Sequence, residues 1–264
     1  MDNRPVGLFD SGVGGLTVFE QVRRIMPRES VVYFGDTAHV PYGGRSTEDL
    51  VQLGDRIIRF LLTKNVKGVI FACNTSSSVS IGVLRERYPV PMIGLVEPGA
   101  KAAVKATENK RIGLLATEAT VKSDSYPKAV AGFAREVKVL SQAAPLLVPL
   151  VENGRVDTFE AKEALAGYMT PFKEAGIDTL ILGCTHYPFF KRFIAEMLGP
   201  GVALVDPAEA TVVEAQVELS RRGALAAGDK ARYEFYVSGD AEEFSRLAGR
   251  LCPGLSLRAE SVEI

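Results

Sequence analysis

An internal repeat constrains the fold of this chain more than any other feature. Two apolar runs, Val69–Ala72 and Leu180–Gly183, each end in a cysteine that is followed by hydroxyl-bearing residues. Three further segment pairs recur in the same order, about 110 residues apart: 6–11 with 112–117, 44–45 with 154–155, and 93–98 with 202–207. Such self-similarity predicts two related halves built on one plan.

Short apolar runs alternate with longer segments of helical periodicity, which predicts parallel sheets with helices on both faces. The predicted strands cover 6–9, 31–34, 68–72, 91–95, 111–115, 136–140, 179–183, 202–205 and 233–237. The predicted helices cover 15–25, 46–63, 75–87, 97–107, 121–132, 156–175, 187–198, 207–222 and 240–251. The expected fold is α/β, with two similar domains related by a pseudo-two-fold axis and a cleft between them.

Two acidic-proline pairs mark the expected domain boundaries. At Glu97-Pro98 and at Asp206-Pro207 a strand ends and a proline opens the next helix. We therefore expect residues 1–97 and 207–264 to form the first domain and residues 98–206 to form the second. The chain would cross between the domains twice.

Composition favours a soluble cytoplasmic protein with free thiols. The 264 residues include 31 basic and 32 acidic ones, a net charge of −1, without a basic stripe that would bind nucleic acid. No apolar run is long enough to span a membrane, and the N-terminus shows no signal region. Three cysteines, an odd number, argue against a disulfide framework. Cys252 lacks polar neighbours, and we interpret it as structural.

The two repeated cysteines predict a proton-transfer site. A cysteine at the carboxyl end of a parallel strand stands where open α/β sheets bind ligands, and the next helix N-terminus favours its thiolate. If the halves face each other, Cys73 and Cys184 approach one ligand from opposite sides. A free cysteine taken alone is more often a small buried apolar residue, and it is the matched pair with polar neighbours that favours the site.

Polar residues at the other strand ends extend this site. Asp10 and Ser11 precede glycines whose N–H groups suit a carboxylate or phosphate. His186, beside Cys184, is placed to stabilise a thiolate or to transfer a proton. Further candidates are Tyr42 and Gly43 in a turn, Glu152 after an apolar run, and Asn74, Thr75 and Thr185, for which helix capping is an alternative role.

Other functional classes fit the sequence less well. Gly12-x-Gly14 after a strand, with Asp36 closing the second strand, approaches a dinucleotide-binding fingerprint, but Thr17 occupies the third glycine position and Asp10 would repel a pyrophosphate. The chain lacks Cys-x-x-Cys and His-x-x-x-His spacings, so we expect no metal. A redox thiol pair and a non-catalytic amino-acid-binding protein stay open as minor alternatives.

Several of these segments resemble the cofactor-independent glutamate racemases. The matching segments are GLFDSGVGGLT at 7–17, FGDT at 34–37, PYG at 41–43, ACNTS at 72–76, PLVE at 149–152 and GCTHYP at 183–188. The resemblance implies interconversion of L- and D-glutamate without cofactor, for bacterial peptidoglycan, by a homodimer. Related aspartate racemases tend to carry glutamate where His186 stands, which favours glutamate as the substrate.

The resemblance also implies a role for each matching residue. Cys73 would remove the α-proton of D-glutamate and Cys184 that of L-glutamate. Asp10 and His186 would assist the two thiols and contact the substrate, and Glu152 would be an acidic helper beside Cys184. The implied substrate contacts are Ser11, Tyr42 and Gly43 for the side-chain carboxylate, Asn74, Thr75 and Thr185 for the α-carboxylate and amino group, and Thr117 and Thr120 lining the cleft.

Overall fold

The computed structural model describes residues 1–228, 230–255 and 257–264, which form two sheets flanked by helices. The six-stranded sheet has the order β10-β9-β2-β1-β3-β4 and the four-stranded sheet the order β6-β5-β7-β8. The strands of the first sheet are β1 (Val6–Asp10), β2 (Val31–Gly35), β3 (Gly68–Phe71), β4 (Met92–Ile93), β9 (Tyr233–Val237) and β10 (Ala259–Ser261). Those of the second are β5 (Arg111–Ala116), β6 (Lys138–Ala143), β7 (Thr179–Gly183) and β8 (Ala203–Val205).

We call the unit built on the six-stranded sheet the first lobe and the unit built on the four-stranded sheet the second lobe. Helices of the first lobe are α1 (Leu16–Ile25), α2 (Thr47–Thr63), α3 (Asn74–Val79), α4 (Ile81–Arg87) and α12 (Ala241–Leu251). Helices of the second lobe are α5 (Val96–Ala106), α6 (Glu118–Ser123), α7 (Ser125–Phe133), α8 (Leu147–Glu152), α9 (Phe159–Ala175) and α10 (Lys191–Leu198). Helix α11 (Pro207–Arg221) packs against both α1 and α5, so it joins the lobes.

The recorded strand pairings are all parallel, which confirms the predicted α/β class. Strands β1, β2, β3 and β7 are buried along their whole length, as their unbroken apolar sequences predict. Parallel register brings the carboxyl ends of β1 and β3 to one edge of the first sheet, and those of β5 and β7 to one edge of the second. The candidate residues follow these ends.

The strands divide between the sheets as the two-domain prediction requires, while its exact boundaries stay a prediction. Helix α11 begins at Pro207, where the Asp206 side chain accepts a hydrogen bond from the Ala208 amide at 2.9 Å. Helix α5 begins slightly earlier than expected, at Val96. Among the described residues, no helix combines the length and the apolar character needed to cross a membrane.

Several predicted elements differ from the structure. The helix predicted over 75–87 is two helices that meet at Ser80, whose hydroxyl donates to the Ser76 carbonyl at 3.0 Å. The helix predicted over 121–132 is also divided, because Asp124 adopts a left-handed conformation with φ of 57°. Residues 187–190 form a 3₁₀ turn ahead of α10. The short strand β10 and helix α8 had no counterpart in the prediction.

Candidate active site

The last residue of β1 carries a buried carboxylate that touches both lobes. Asp10 is fully buried, and its Oδ2 accepts hydrogen bonds from the amides of Gly15 at 2.9 Å and Gly12 at 3.2 Å. Its Oδ1 accepts a hydrogen bond at 3.2 Å from the hydroxyl of Thr185, which belongs to the second lobe. Asp10 thus lies between the two repeated elements.

The pKa of Asp10 suits proton exchange near neutral pH. Burial raises it from 3.8 to about 6, and the charge of Glu152 adds to the rise. The charge of His186 and the amides of Gly15 and Gly12 oppose the rise. A carboxyl group with this pKa can accept or release a proton under physiological conditions.

Cys73 follows β3 and caps the backbone of α3, as the strand-end prediction requires. The side chain is buried, 5% exposed, in an apolar cluster with Tyr42, Leu50 and Leu53. Burial raises the pKa of this thiol to about 12, and the charges of Asp10 and Cys184 add to the rise, against an opposing contribution from Ser76. The start of α3 favours a Cys73 thiolate through the Ser76 amide, as expected, but desolvation has the larger effect on the pKa.

Cys184 has a different set of neighbours. Its sulfur lies 3.7 Å from Nδ1 of His186, and Nε2 of the same ring lies 2.5 Å from Oε1 of Glu152. Burial disfavours the imidazolium, but the interactions with Cys184 and Glu152 outweigh it and raise the pKa of His186 well above its usual value. The cationic ring stabilises negative charge on the neighbouring sulfur.

Glycines allow the first lobe to approach His186 and Glu152 closely. Oε1 of Glu152 accepts a hydrogen bond at 3.1 Å from the Val13 amide, which crosses from one lobe to the other. A Cβ atom on Gly14 would lie 2.5 Å from Nδ1 of His186 and 2.7 Å from Oγ1 of Thr185. Only a glycine fits this contact. The Val13 amide was missed from the sequence, although its two flanking glycines are the signal of a close backbone approach.

A chain of threonine hydroxyls also links the lobes. Oγ1 of Thr117 lies 2.9 Å from Oγ1 of Thr75 in the first lobe and 2.9 Å from Oγ1 of Thr120 in its own lobe. The Gly43 carbonyl accepts a hydrogen bond at 2.9 Å from the Ala119 amide, beside the same threonines. The structure thus places Thr75, Thr117, Thr120 and Gly43 along one interface.

The remaining predicted residues lie nearby, and two of them have protein partners. The Tyr42 hydroxyl donates to Oδ2 of Asp36 at 2.5 Å, and the Tyr126 hydroxyl donates to Oδ1 of Asn74 at 2.5 Å. Ser11 is 4% exposed within the turn that carries Asp10. Neither Asn74, Thr75 nor Thr185 caps a helix through its side chain, so the capping alternative fails.

Two small cavities border the interface between the lobes. One of about 210 Å³ is lined by Val13 and Glu152 together with residues of α12, and one of about 170 Å³ is lined by Gly43, Thr117 and Val148, among others. A larger cavity of about 620 Å³ lies elsewhere, between β4, α5 and α11, and neither cysteine lines it. The reactive side chains at the interface between the lobes, and not the size of a cavity, therefore identify the candidate site.

The dinucleotide alternative does not fit the geometry of the glycine turn. The amides of Gly12 and Gly15 already donate to Asp10, and Gly14 packs against His186 and Thr185. Asp36 accepts hydrogen bonds from Tyr42 and Ser238, so it is not positioned to bind a ribose. A pyrophosphate would have to displace the second lobe.

Comparisons with known proteins show the family of this chain. A family model described as Asp/Glu/Hydantoin racemase matches residues 16–215. A curated glutamate racemase from Desulforudis audaxviator is 54% identical over 252 residues, which cover 93% of this chain and 92% of that protein. A glutamate racemase from Pediococcus pentosaceus is 40% identical over 266 residues, and the match covers 100% of both chains.

Solved structures give the same result. A glutamate racemase isoform from Bacillus anthracis superposes with a TM-score of 0.96 at 35% identity, covering 100% of this chain and 99% of that one. The glutamate racemase of Francisella tularensis was solved in complex with D-glutamate. It superposes with a TM-score of 0.92 at 31% identity, and the match covers 100% of this chain and 98% of that one. By sequence and by fold, the chain belongs to the Asp/Glu/hydantoin racemase family, and within it the chain is an amino-acid racemase of the glutamate racemase type.

Proposed function

We propose that the chain interconverts L- and D-glutamate by proton transfer between two thiols, Cys184 and Cys73. The observation that supports the proposal most directly is that each thiol follows a strand of a different sheet, β3 or β7, and that a hydrogen bond crosses between the two sheet edges. It joins Asp10, at the end of β1 beside β3, to Thr185, which follows Cys184, at 3.2 Å. The two sulfurs are also close enough for the charge of Cys184 to contribute to the Cys73 pKa. A substrate carbon between the lobes would have one sulfur on each side.

The surroundings of the two thiols favour L-glutamate as the first substrate. Cys73 holds its proton because burial raises its pKa to about 12, whereas His186, whose Nδ1 lies 3.7 Å from the Cys184 sulfur, is placed to balance negative charge on that sulfur. The Cys184 thiolate takes the α-proton, and the Cys73 S–H group then donates its proton to the opposite face of the carbanion. The products are D-glutamate, a Cys184 thiol and a Cys73 thiolate.

The same groups explain how the reverse reaction starts. The Cys73 thiolate left by one turnover is the base needed for D-glutamate, and the Cys184 thiol is the matching acid. Without substrate, the pair resets by proton exchange with water. The Cys73 thiolate takes a proton from protonated Asp10, whose pKa is about 6, and the Asp10 carboxylate regains one from water. The Cys184 thiol gives its proton to His186 after that ring has released its own proton to water, which leaves the Cys184 thiolate beside the imidazolium. Glu152 keeps the His186 ring in place through the bond to Nε2.

Substrate contacts follow from the groups at the interface. We assign the α-carboxylate and amino group to Asn74, Thr75 and Thr185, and the side-chain carboxylate to Ser11 and the 42–43 turn. Because the Tyr42 hydroxyl donates to Asp36, the backbone N–H groups of Tyr42 and Gly43 are the better donors there. Hydrogen bonds to the α-carboxylate stabilise the carbanion best when the lobes exclude water.

The product defines the role in the cell. D-glutamate is the form used in bacterial peptidoglycan, and we assign this chain to that supply, as a cytoplasmic homodimer. Sedimentation of the purified protein tests the dimer, and rescue of a D-glutamate-requiring bacterium by the gene tests the role. A monomer or a lack of rescue would contradict the respective assignment.

The mechanism is tested by removing one thiol at a time. Cys73→Ala and Cys184→Ala are each expected to lower the racemisation rate at least about 100-fold, as loss of a general acid or base does. Circular dichroism of L-glutamate and of D-glutamate measures the rate. Cys252→Ala is the matched control, because this buried thiol ends α12 in the first lobe and should leave the rate unchanged. Full activity in either single variant would refute the two-thiol scheme.

A further inference from the structure

A tyrosine of the second lobe reaches a substrate-binding residue of the first. Tyr126 lies in α7 and is fully buried, and its hydroxyl donates to Oδ1 of Asn74 at 2.5 Å. Asn74 directly follows Cys73 and is itself 2% exposed. Sequence reasoning did not identify Tyr126, because a tyrosine within a helical pattern carries no signal of a contact 52 residues away.

The hydrogen bond fixes which end of the Asn74 amide is left for a ligand. Since Oδ1 accepts the Tyr126 proton, the amide nitrogen is the remaining end, and it is buried without an acceptor among the described residues. A buried N–H group without an acceptor costs free energy, which a ligand carboxylate would recover. The orientation of the amide therefore determines whether Asn74 offers a donor or an acceptor to the substrate.

The Tyr126 hydroxyl also lies where the chain passes between the lobes. A Cβ atom on Gly99 of α5 would lie 3.2 Å from the Tyr126 hydroxyl and 2.9 Å from Cγ of Pro207, the first residue of α11. Burial, together with the charges of Asp206 and Cys184, raises the pKa of Tyr126 well above its usual value. The phenol thus stays protonated and remains a donor throughout the working pH range.

We propose that Tyr126 is a positioning residue that turns the Asn74 amide nitrogen toward the substrate carboxylate and links this orientation to the packing of α5 and α11. The inference rests on the proposed function, in which Asn74 binds the substrate. It assigns Tyr126 no contact with the reacting atoms. It predicts an effect on substrate affinity that is transmitted entirely through Asn74.

Tyr126→Phe removes the hydroxyl and keeps the ring that fills the core. The expected result is a fivefold to tenfold rise in KM for both enantiomers with kcat changed less than about twofold, because one hydrogen bond to a charged group becomes misdirected. Enantiomers have equal free energies, so kcat/KM must fall by the same factor in both directions, which is an internal check. Tyr88→Phe is the control: its hydroxyl also donates to a side-chain oxygen, Oδ1 of Asp55 at 2.8 Å, and neither residue belongs to the candidate site. It should leave KM unchanged.

A double-mutant cycle tests whether the effect passes through Asn74. In an Asn74→Ala background, Tyr126→Phe should leave KM unchanged, since the amide it positions is gone. A wild-type KM in Tyr126→Phe, or an equal rise of KM in both backgrounds, would overturn the inference. Thermal unfolding of each variant separates loss of structure from loss of affinity.

Asn74→Asp provides an independent test should Tyr126→Phe fold poorly. The new carboxylate keeps an acceptor for Tyr126 but directs an oxygen, not an N–H group, at the substrate. KM should therefore rise further than in Asn74→Ala, and an Asp variant that binds as well as the wild type would refute the assigned orientation. Failure here is distinct from failure of the two-thiol scheme, which the two cysteine variants test by loss of racemisation.

Discussion

The two thiols occupy matching positions in two similar lobes, yet their surroundings differ. Cys184 lies beside a histidine that Glu152 holds through its second nitrogen, whereas Cys73 packs against Leu50, Leu53 and the ring of Tyr42. The first environment places an imidazole nitrogen 3.7 Å from the sulfur, whereas burial in the second raises the pKa of the thiol to about 12. A duplicated backbone plan can therefore position two chemically equivalent groups while local side chains give them different surroundings.

Exchange of the α-proton of glutamate with solvent is expected to show the largest effect of this difference between the two thiols. In D₂O, Cys73→Ala retains Cys184, so L-glutamate is expected to exchange its α-proton with retention of configuration, at least about 100-fold faster than D-glutamate. Cys184→Ala should show the opposite preference but a slower exchange, because Cys73 lacks a cationic neighbour. Proton NMR with chiral separation measures both rates. Equal exchange of the two enantiomers in either variant would contradict the assignment of one thiol to each face.

Removal of His186 should make the surroundings of Cys184 more like those of Cys73. His186→Asn eliminates the cation next to Cys184, and we expect kcat/KM to fall about 100-fold in both directions. Glu152→Gln should cost about tenfold, since it acts by holding the His186 ring. Steady-state polarimetry between pH 6 and 9 measures both. Activity that survives in His186→Asn would show that Cys184 does not depend on its neighbouring imidazolium.

The next prediction concerns the close contact between the two lobes at Gly14. Gly14→Ala would place a methyl group 2.5 Å from Nδ1 of His186, so the lobes must separate. We expect kcat/KM to fall about tenfold, because small displacements of catalytic groups are costly. Gly82→Ala on α4 is the control, because among the described residues nothing beyond its chain neighbours and the backbone of its own helix lies within 4 Å of the added methyl group. If the two variants behave alike, the contact has no role in catalysis.

Features that depend on neighbouring residues in the sequence could be predicted, whereas contacts between segments far apart in the chain could not. Strand ends such as those before Asp10, Cys73 and Cys184 follow from local apolar runs, and the repeat predicted two sheets. Glu152 was expected after an apolar run, but that run lies in helix α8, because a five-residue apolar segment does not distinguish strand from helix. Contacts between lobes, such as Val13 with Glu152 or Tyr126 with Asn74, depend on the packing of distant segments and left little local signal.

The smallest expected effect concerns the free energy of unfolding. It depends on Asp10, the carboxyl group that we propose as the proton-exchange partner of Cys73. The pKa of Asp10 is about 6 in the folded chain, against an ordinary value of 3.8, so the folded state binds this proton more tightly than the unfolded state. Its stabilising contribution is complete below pH 3.8 and is lost as the pH rises through about 6. By linkage, Asp10 alone should make the protein about 1.4 kcal/mol more stable at pH 5 than at pH 7.5.

Asp10→Asn removes this titration while leaving in place Asp206, a half-buried carboxyl whose pKa burial also raises. The difference in unfolding free energy between pH 5 and 7.5 should therefore shrink by about 1.4 kcal/mol in the variant, as urea titration at the two pH values can show. An unchanged difference would mean that Asp10 has an ordinary pKa, and it would then be a poor proton acceptor for Cys73 at neutral pH. Burial of Asp10 thus costs stability under the conditions where the proton transfer needs it, whereas on the Cys184 side the charge of His186 is balanced by Glu152.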